Sequence, residues 1–290
     1  MMNNSDDAST SNINGSSFSS IAEISLYSLV VILAIVYTVL ILIQPKLRNN
    51  KLNWFTLNVC LTSAWFSVMM LMMNVRQLLN TFNDFSCRIQ TFLIGMAACQ
   101  LMYAHSVLAI SRFLAIVYAH KLIFRSNLCL WCCIIMGWVV ACLVALPYLF
   151  VDGFLCFTSA EATILPYYTL ITILFLPIII VTIYNARTLI FVRNSTRRVH
   201  ATGTGGQVSD KRDVFLVKLT IGTFIAFIVG WSPSLIIQLF NESASVPTIL
   251  NQCFLILPPL TLLCDVLLLI FTNQPVRTIL KQFIIRISKF

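Results

Sequence analysis

Charge is what this chain has least of. Asp, Glu, Lys and Arg make up 10% of its 290 residues, against about a quarter in a water-soluble domain. With 59% hydrophobic residues and a mean hydropathy of +0.90, a soluble globular domain is excluded, and lipid is the solvent such a chain needs. A cleavable leader is missing too: the first 20 residues are polar, hold Asp6 and Asp7, and have no basic leading segment. The first apolar helix is therefore expected to act as an uncleaved insertion signal. No internal repeat is evident, and no loop looks like a separate domain. There is no nucleophile–base pair and no metal-ligand cluster, which argues against an enzyme. Cys129, Cys132 and Cys133 share a helical face, but without a His or carboxylate beside them they read as packing residues.

What the chain does have is apolar length. Seven runs, at about Ile24–Ile43, Trp54–Val75, Cys87–Ile110, Leu128–Phe150, Ile164–Val192, Val214–Phe240 and Val246–Thr272, approach or exceed the roughly 20 residues a spanning helix needs. The expected fold class is an all-α membrane protein. A seven-helix transmembrane bundle would occupy residues 24–272, after a disordered extracellular tail at 1–23 and before a cytoplasmic end at 273–290. The third run is the one the others are arranged around. From Cys87 to Arg112 it would rise about 37 Å as a helix, and no charge interrupts it between Arg88 and Arg112. That crosses a hydrocarbon core of about 30 Å with some tilt. In the longest polar loop, His200–Gln207 reads as a flexible linker.

Basic residues set the expected orientation. With the amino terminus outside, 17 of the 19 fall on the cytoplasmic side, leaving Arg76 and Arg88 at the outer face, and seven of the ten acids fall outside. The net charge of +9 thus belongs to a cytosolic membrane face, and nucleic acid is not an expected partner. Asn3, Asn14 and Asn241 head sequons on the outer side, where glycosylation can occur; Asn194 heads one that would be cytoplasmic and silent. Cys87 and Cys156 both fall at the outer boundary, where disulfides persist. A bridge between them would pin Val151–Leu165 over the third helix; the alternative is two free thiols.

Several stretches, in order, resemble the rhodopsin-like (class A) G-protein-coupled receptors. Leu52–Val59 is similar to the start of the family's second helix, and Cys87 lies 25 residues before Arg112 as it does there. Ile110–Lys121 resembles the Asp-Arg-Tyr motif and its following loop. Trp138 with Pro147 resembles the fourth helix, Cys156 the loop cysteine, and Pro177 the fifth-helix proline. Phe227–Pro233 resembles the sixth-helix Phe…Cys-Trp-x-Pro motif. Asp265–Leu269, with Asn273 and Arg277, resembles a degenerate Asn-Pro-x-x-Tyr followed by a short membrane-parallel helix eight. The resemblance implies a receptor that passes ligand binding to a heterotrimeric G protein. Departures place it among divergent members, and an expanded invertebrate chemosensory group is one such place. Ser111 replaces the acid before Arg112, Ser63 the second-helix Asp, Ile35 the first-helix Asn, and Val266 and Leu269 the seventh-helix Pro and Tyr. Gly230 replaces the common Cys, and Tyr184 follows Pro177 by seven residues rather than eight.

The residues suggest how such a machine would work. Arg112, lacking a neighbouring carboxylate at Ser111, would clamp to Asp213 at the inner face of the sixth helix; Lys211 and Arg212 are alternative partners for that acid. Pro233 would kink the sixth helix beneath a large aromatic, Trp231, making a bistable element, with Tyr184 as a further switch residue. Asp265 is read as the one carboxylate deep in the apolar body, facing Ser63 and Asn58, and either protonated or ionised with a sodium ion or water; the alternative is one neutral interhelical hydrogen bond. A ligand cavity would be lined by Gln90, Thr91, Ile94, Gly95, Ala98, Thr169, Ile173, Trp231, Ser234, Leu235, Gln238 and Leu255, apolar with a few neutral polar groups. Ile94 stands where amine receptors carry an acid, and Pro259 where opsins carry the retinal lysine. Biogenic amines and light are therefore disfavoured. The rival class is a seven-helix transporter or channel, which would need paired charges or broken helices at its midplane; a non-signalling relative is the other alternative.

Overall fold

The computed structural model describes residues 6–49, 51–79, 84–118, 126–150, 164–202, 221–222, 224–237, 248–272, 276–278 and 282, and among them there is no strand. The order is α1 (Asp6–Ile43), α2 (Pro45–Arg48), α3 (Lys51–Leu79), α4 (Asp84–Val117), α5 (Asn127–Ala145), α6 (Pro147–Phe150), α7 (Ile164–Thr169), a π-helical turn (Leu170–Phe175), α8 (Leu176–Thr202), α9 (Phe224–Ile237) and α10 (Thr248–Thr272). Six spans are long and apolar enough to cross a membrane, and α9 is a shorter apolar helix. Together they form a helical bundle of the expected class.

The third apolar run is indeed central. Within its span 78% of α4 is buried, against 28% for α1 and for the α5 span, whose outer faces carry Ile32, Val39, Trp131 and Ile135. In water such faces would aggregate; in lipid they are simply solvated. α1 packs on α3 and α10, α3 on α4, and α4 on α5 and α8. Ser126 starts α5 as its N-cap, its hydroxyl accepting from the Cys129 amide at 3.1 Å. Pro147 has no N–H to continue that helix, so the chain turns at Leu146 before α6.

One expectation changes here. The stretch assigned to a disordered tail is helical from Asp6, continuing straight into the membrane helix. Nothing before Pro45 breaks a helix except the single Gly15, so a stable apolar helix extends into its polar flank. Asn14 lies within that extension. Further along the same helix, Glu23 is buried and accepts from Asn74 Nδ2 at 3.3 Å.

Proline positions show how lipid forces compensation. In the π turn the Leu176 amide reaches back five residues to the Ile171 carbonyl. The next amide in that register would be residue 177, which is proline, so the Thr172 carbonyl has no backbone donor. The Tyr103 hydroxyl of α4 donates to it at 3.2 Å. In α10, Pro258 deprives the Phe254 carbonyl of its partner, and Ser234 of α9 donates to it at 2.7 Å. A neighbouring helix replaces the lost bond in both places.

Candidate functional site

α4 carries a column of sites along its length, from Cys87 at one end to Arg112 at the other. Cys87 is fully buried and disulfide-bonded, and the other eight described cysteines are free. Cys156, Asp213, Gln238, Asn3 and Asn241 lie outside the described residues, as do Asn273 and most of the expected helix eight. Of that last element, Val276–Thr278 is helical, with Val276 buried in the main core.

Near Cys87 the expected cavity residues behave differently from one another. Gln90 is buried and its Oε1 accepts from Arg76 Nη1 at 2.9 Å. Thr91 Oγ1, Gln90 Nε2 and Trp231 Nε1 are buried without a hydrogen-bond partner among the described residues. Ile94, Ala98 and Ile173 belong to the main core, and Leu235 packs against it. Gly95 is where the Tyr148 ring closes in: a Cβ there would come within 2.8 Å of Cδ2. Thr169 is already committed, donating to the Leu165 carbonyl at 2.8 Å and lying 2.6 Å from the Tyr148 hydroxyl. Ser234 is committed to Phe254. Leu255 is 43% exposed, so it faces lipid and not a cavity. Ile35 is likewise exposed, and the neighbouring Ala34 takes the interior position on α1.

Below these lies a relay of rings. Trp231 stacks on Phe227 at 5.0 Å and 11°, and Phe66 of α3 sits 5.0 Å from Trp231. Tyr27 of α1 meets Phe66 edge-on at 6.3 Å. On the other side Phe227 lies 5.6 Å from the His105 ring. Pro233, half-buried, is two residues along from Trp231. At Gly230 α9 comes close against α10: a Cβ on it would overlap the Thr261 side chain. The glycine noted as a family departure is therefore a notch that receives a threonine.

Asp265 is buried as expected, but its surroundings are not those expected. Asn58 accepts from Trp138 Nε1 of α5 at 3.2 Å, and Ser63 donates to the Val59 carbonyl of its own helix at 3.0 Å. The side chain that reaches the carboxylate is His105 of α4, with Nε2 3.3 Å from Oδ2 and both residues 2–3% exposed. That separation is within ion-pair range, yet its angle makes no hydrogen bond, and both carboxylate oxygens lack such a bond among the described residues. Asp265 thus faces His105, where Ser63 and Asn58 were the expected neighbours. His105 was the available signal: it is the one ionisable imidazole in an apolar run of α4, and one of three histidines in the chain.

Toward the other end, Arg112 is buried, and the Tyr37 phenol of α1 lies within electrostatic range of it. Ser111 donates to the Leu108 carbonyl at 2.8 Å. Tyr184 packs edge-on against Phe113 at 5.3 Å and joins a small cluster of Ala109, Val181 and Phe224. Residues of α4, α8 and α9 therefore meet in one place, next to Arg112 in the chain.

Among curated proteins the chain has no match. A family model, however, aligns with residues 30–273, well over half of the chain: the 7 transmembrane receptor (rhodopsin family). With that alignment running from within α1 to the end of α10, the chain belongs to the rhodopsin family of seven-transmembrane receptors.

Proposed function

We propose that the protein is a plasma-membrane receptor, amino terminus outside, that couples an extracellular small molecule or peptide to a heterotrimeric G protein. One observation carries this reading. A family receptor bundle keeps a buried arginine, Arg112, at the end of its most buried helix opposite the disulfide-bonded Cys87. The basic residues cluster at the Arg112 end, which supports a cytoplasmic face there. Cys156 is the remaining cysteine of ten, and a Cys87–Cys156 bridge fits an outer lid. Asn3, Asn14 and Asn241 are then the glycosylation positions.

Ligand would enter near Gln90, Thr91 and Trp231, whose free polar atoms sit among apolar residues. Binding there would bias the Trp231–Phe227 stack and so the position of α9, a shift between existing states driven by differential affinity. At the other end, release of Arg112, with Asp213 as its acid in the resting state, would open the surface that meets the G protein.

The test is nucleotide exchange on reconstituted G proteins of each class, with the full chain and a ligand panel. The expected result is ligand-stimulated exchange on at least one class, abolished by Arg112→Ala at equal surface level, and raised basal exchange in Asp213→Ala. A ligand that binds the purified receptor without stimulating exchange on any class would contradict the reading.

A further inference from the structure

We propose that the charge site at the centre of the bundle is self-contained: His105 is the resident counter-cation of Asp265, tying α4 to α10 in place of a sodium ion. A carboxylate buried in the body of a lipid-embedded bundle has three ways to avoid an uncompensated charge. It can hold a proton, take up a diffusible cation, or face a fixed one. A hard cation is held by several oxygen ligands, and the residues expected to supply them make their hydrogen bonds to other partners, none to Asp265. Asn58 gives its carbonyl oxygen to Trp138, and Ser63 turns its hydroxyl to Val59. What stands 3.3 Å from Asp265 is a nitrogen that can itself carry positive charge.

The surroundings favour a fixed pair. Phe227 lies against the His105 ring at 5.6 Å, a distance at which an aromatic ring also attracts a cation. On α3, Cys60 is within electrostatic range of Asp265. Arg112, the next charge along α4, is seven residues on, roughly 10 Å of helix. The pair joins α4 to α10, and Phe227 of α9 meets it at the His105 ring.

The experiment uses the full chain in lipid nanodiscs, melted in sodium chloride and in N-methylglucamine chloride at equal ionic strength. Wild type is expected to melt at the same temperature in both. His105→Leu, which strands the carboxylate, should melt about 10 °C lower and should gain a sodium-dependent rise. The double variant His105→Leu, Asp265→Leu should recover most of that loss. Exchanging the two residues, His105→Asp with Asp265→His, keeps the pair and should stay close to wild type. A wild type stabilised by sodium over the organic cation would overturn the proposal. So would losses that simply add in the double variant. If the single variant fails to fold, the wild-type salt comparison and the exchanged pair still decide the matter. None of these readings depends on the ligand or on G-protein coupling.

Discussion

The two flanks of α4 are built on different principles. Toward α5, α6, α7 and α8, side chains cross between helices and end in hydrogen bonds. Tyr148 meets Thr169, Tyr168 reaches the Val144 carbonyl, Tyr103 reaches Thr172, and Trp138 ties α5 to Asn58 of α3, at 2.6–3.2 Å. Toward α9 and α10, contact is by shape: stacked rings, a glycine notch and an ion contact without a hydrogen bond. Ser234 supplies a hydrogen bond between α9 and α10. Directional bonds fix one arrangement, whereas stacked rings and packed methyls slide at little cost. The difference separates a flank held by directional bonds from one fitted by shape, the flank on which movement is to be sought.

Breaking the shape-based flank should have the larger effect. Gly230→Val fills the notch that Thr261 occupies, and overpacking of this kind costs about 1–3 kcal/mol. We expect a lower melting temperature in nanodiscs, with Thr261→Ala in the same chain recovering part of it. A variant that melts like wild type would mean that α9 and α10 are not closely fitted at this point. Breaking one bond on the other flank should do less. Tyr103→Phe removes the donor to Thr172, a loss of about 0.6–1.7 kcal/mol by the range of hydrogen bonds between membrane helices. Pro177→Ala, by restoring a backbone N–H, should make the same change nearly silent; equal losses in both backgrounds would show that the hydroxyl does not serve the proline.

Much of the fold was legible because hydropathy is a local property. The Leu128–Phe150 run has the span's own bounds, and Cys87–Ile110 lies within a span ending at Val117. What the prolines would do locally was not read: Pro147 interrupts a helix, and Pro177 sits beside a π turn. What could not be read was rotation. One residue on a helix is about 100° around its axis, so Leu255, assigned to the ligand cavity, is exposed on the bundle instead. Helices that are apolar on every side give no stripe from which to set that angle. The same ignorance hid the His105–Asp265 and Gly230–Thr261 pairs, because each depends on how two distant helices turn toward one another. Asn58 and Ser63 were assigned to Asp265 for want of that information, and Trp138 and Val59 take them instead.

Amide hydrogen exchange of the full chain in nanodiscs tests the division into a directionally bonded and a shape-fitted flank most directly. The account predicts that Phe224–Ile237 exchanges at least about tenfold faster than Gly95–Arg112, as local opening requires of an element held by sliding contacts. Equal protection of the two segments would contradict it, because α9 would then be held as firmly as the helix it is supposed to move against.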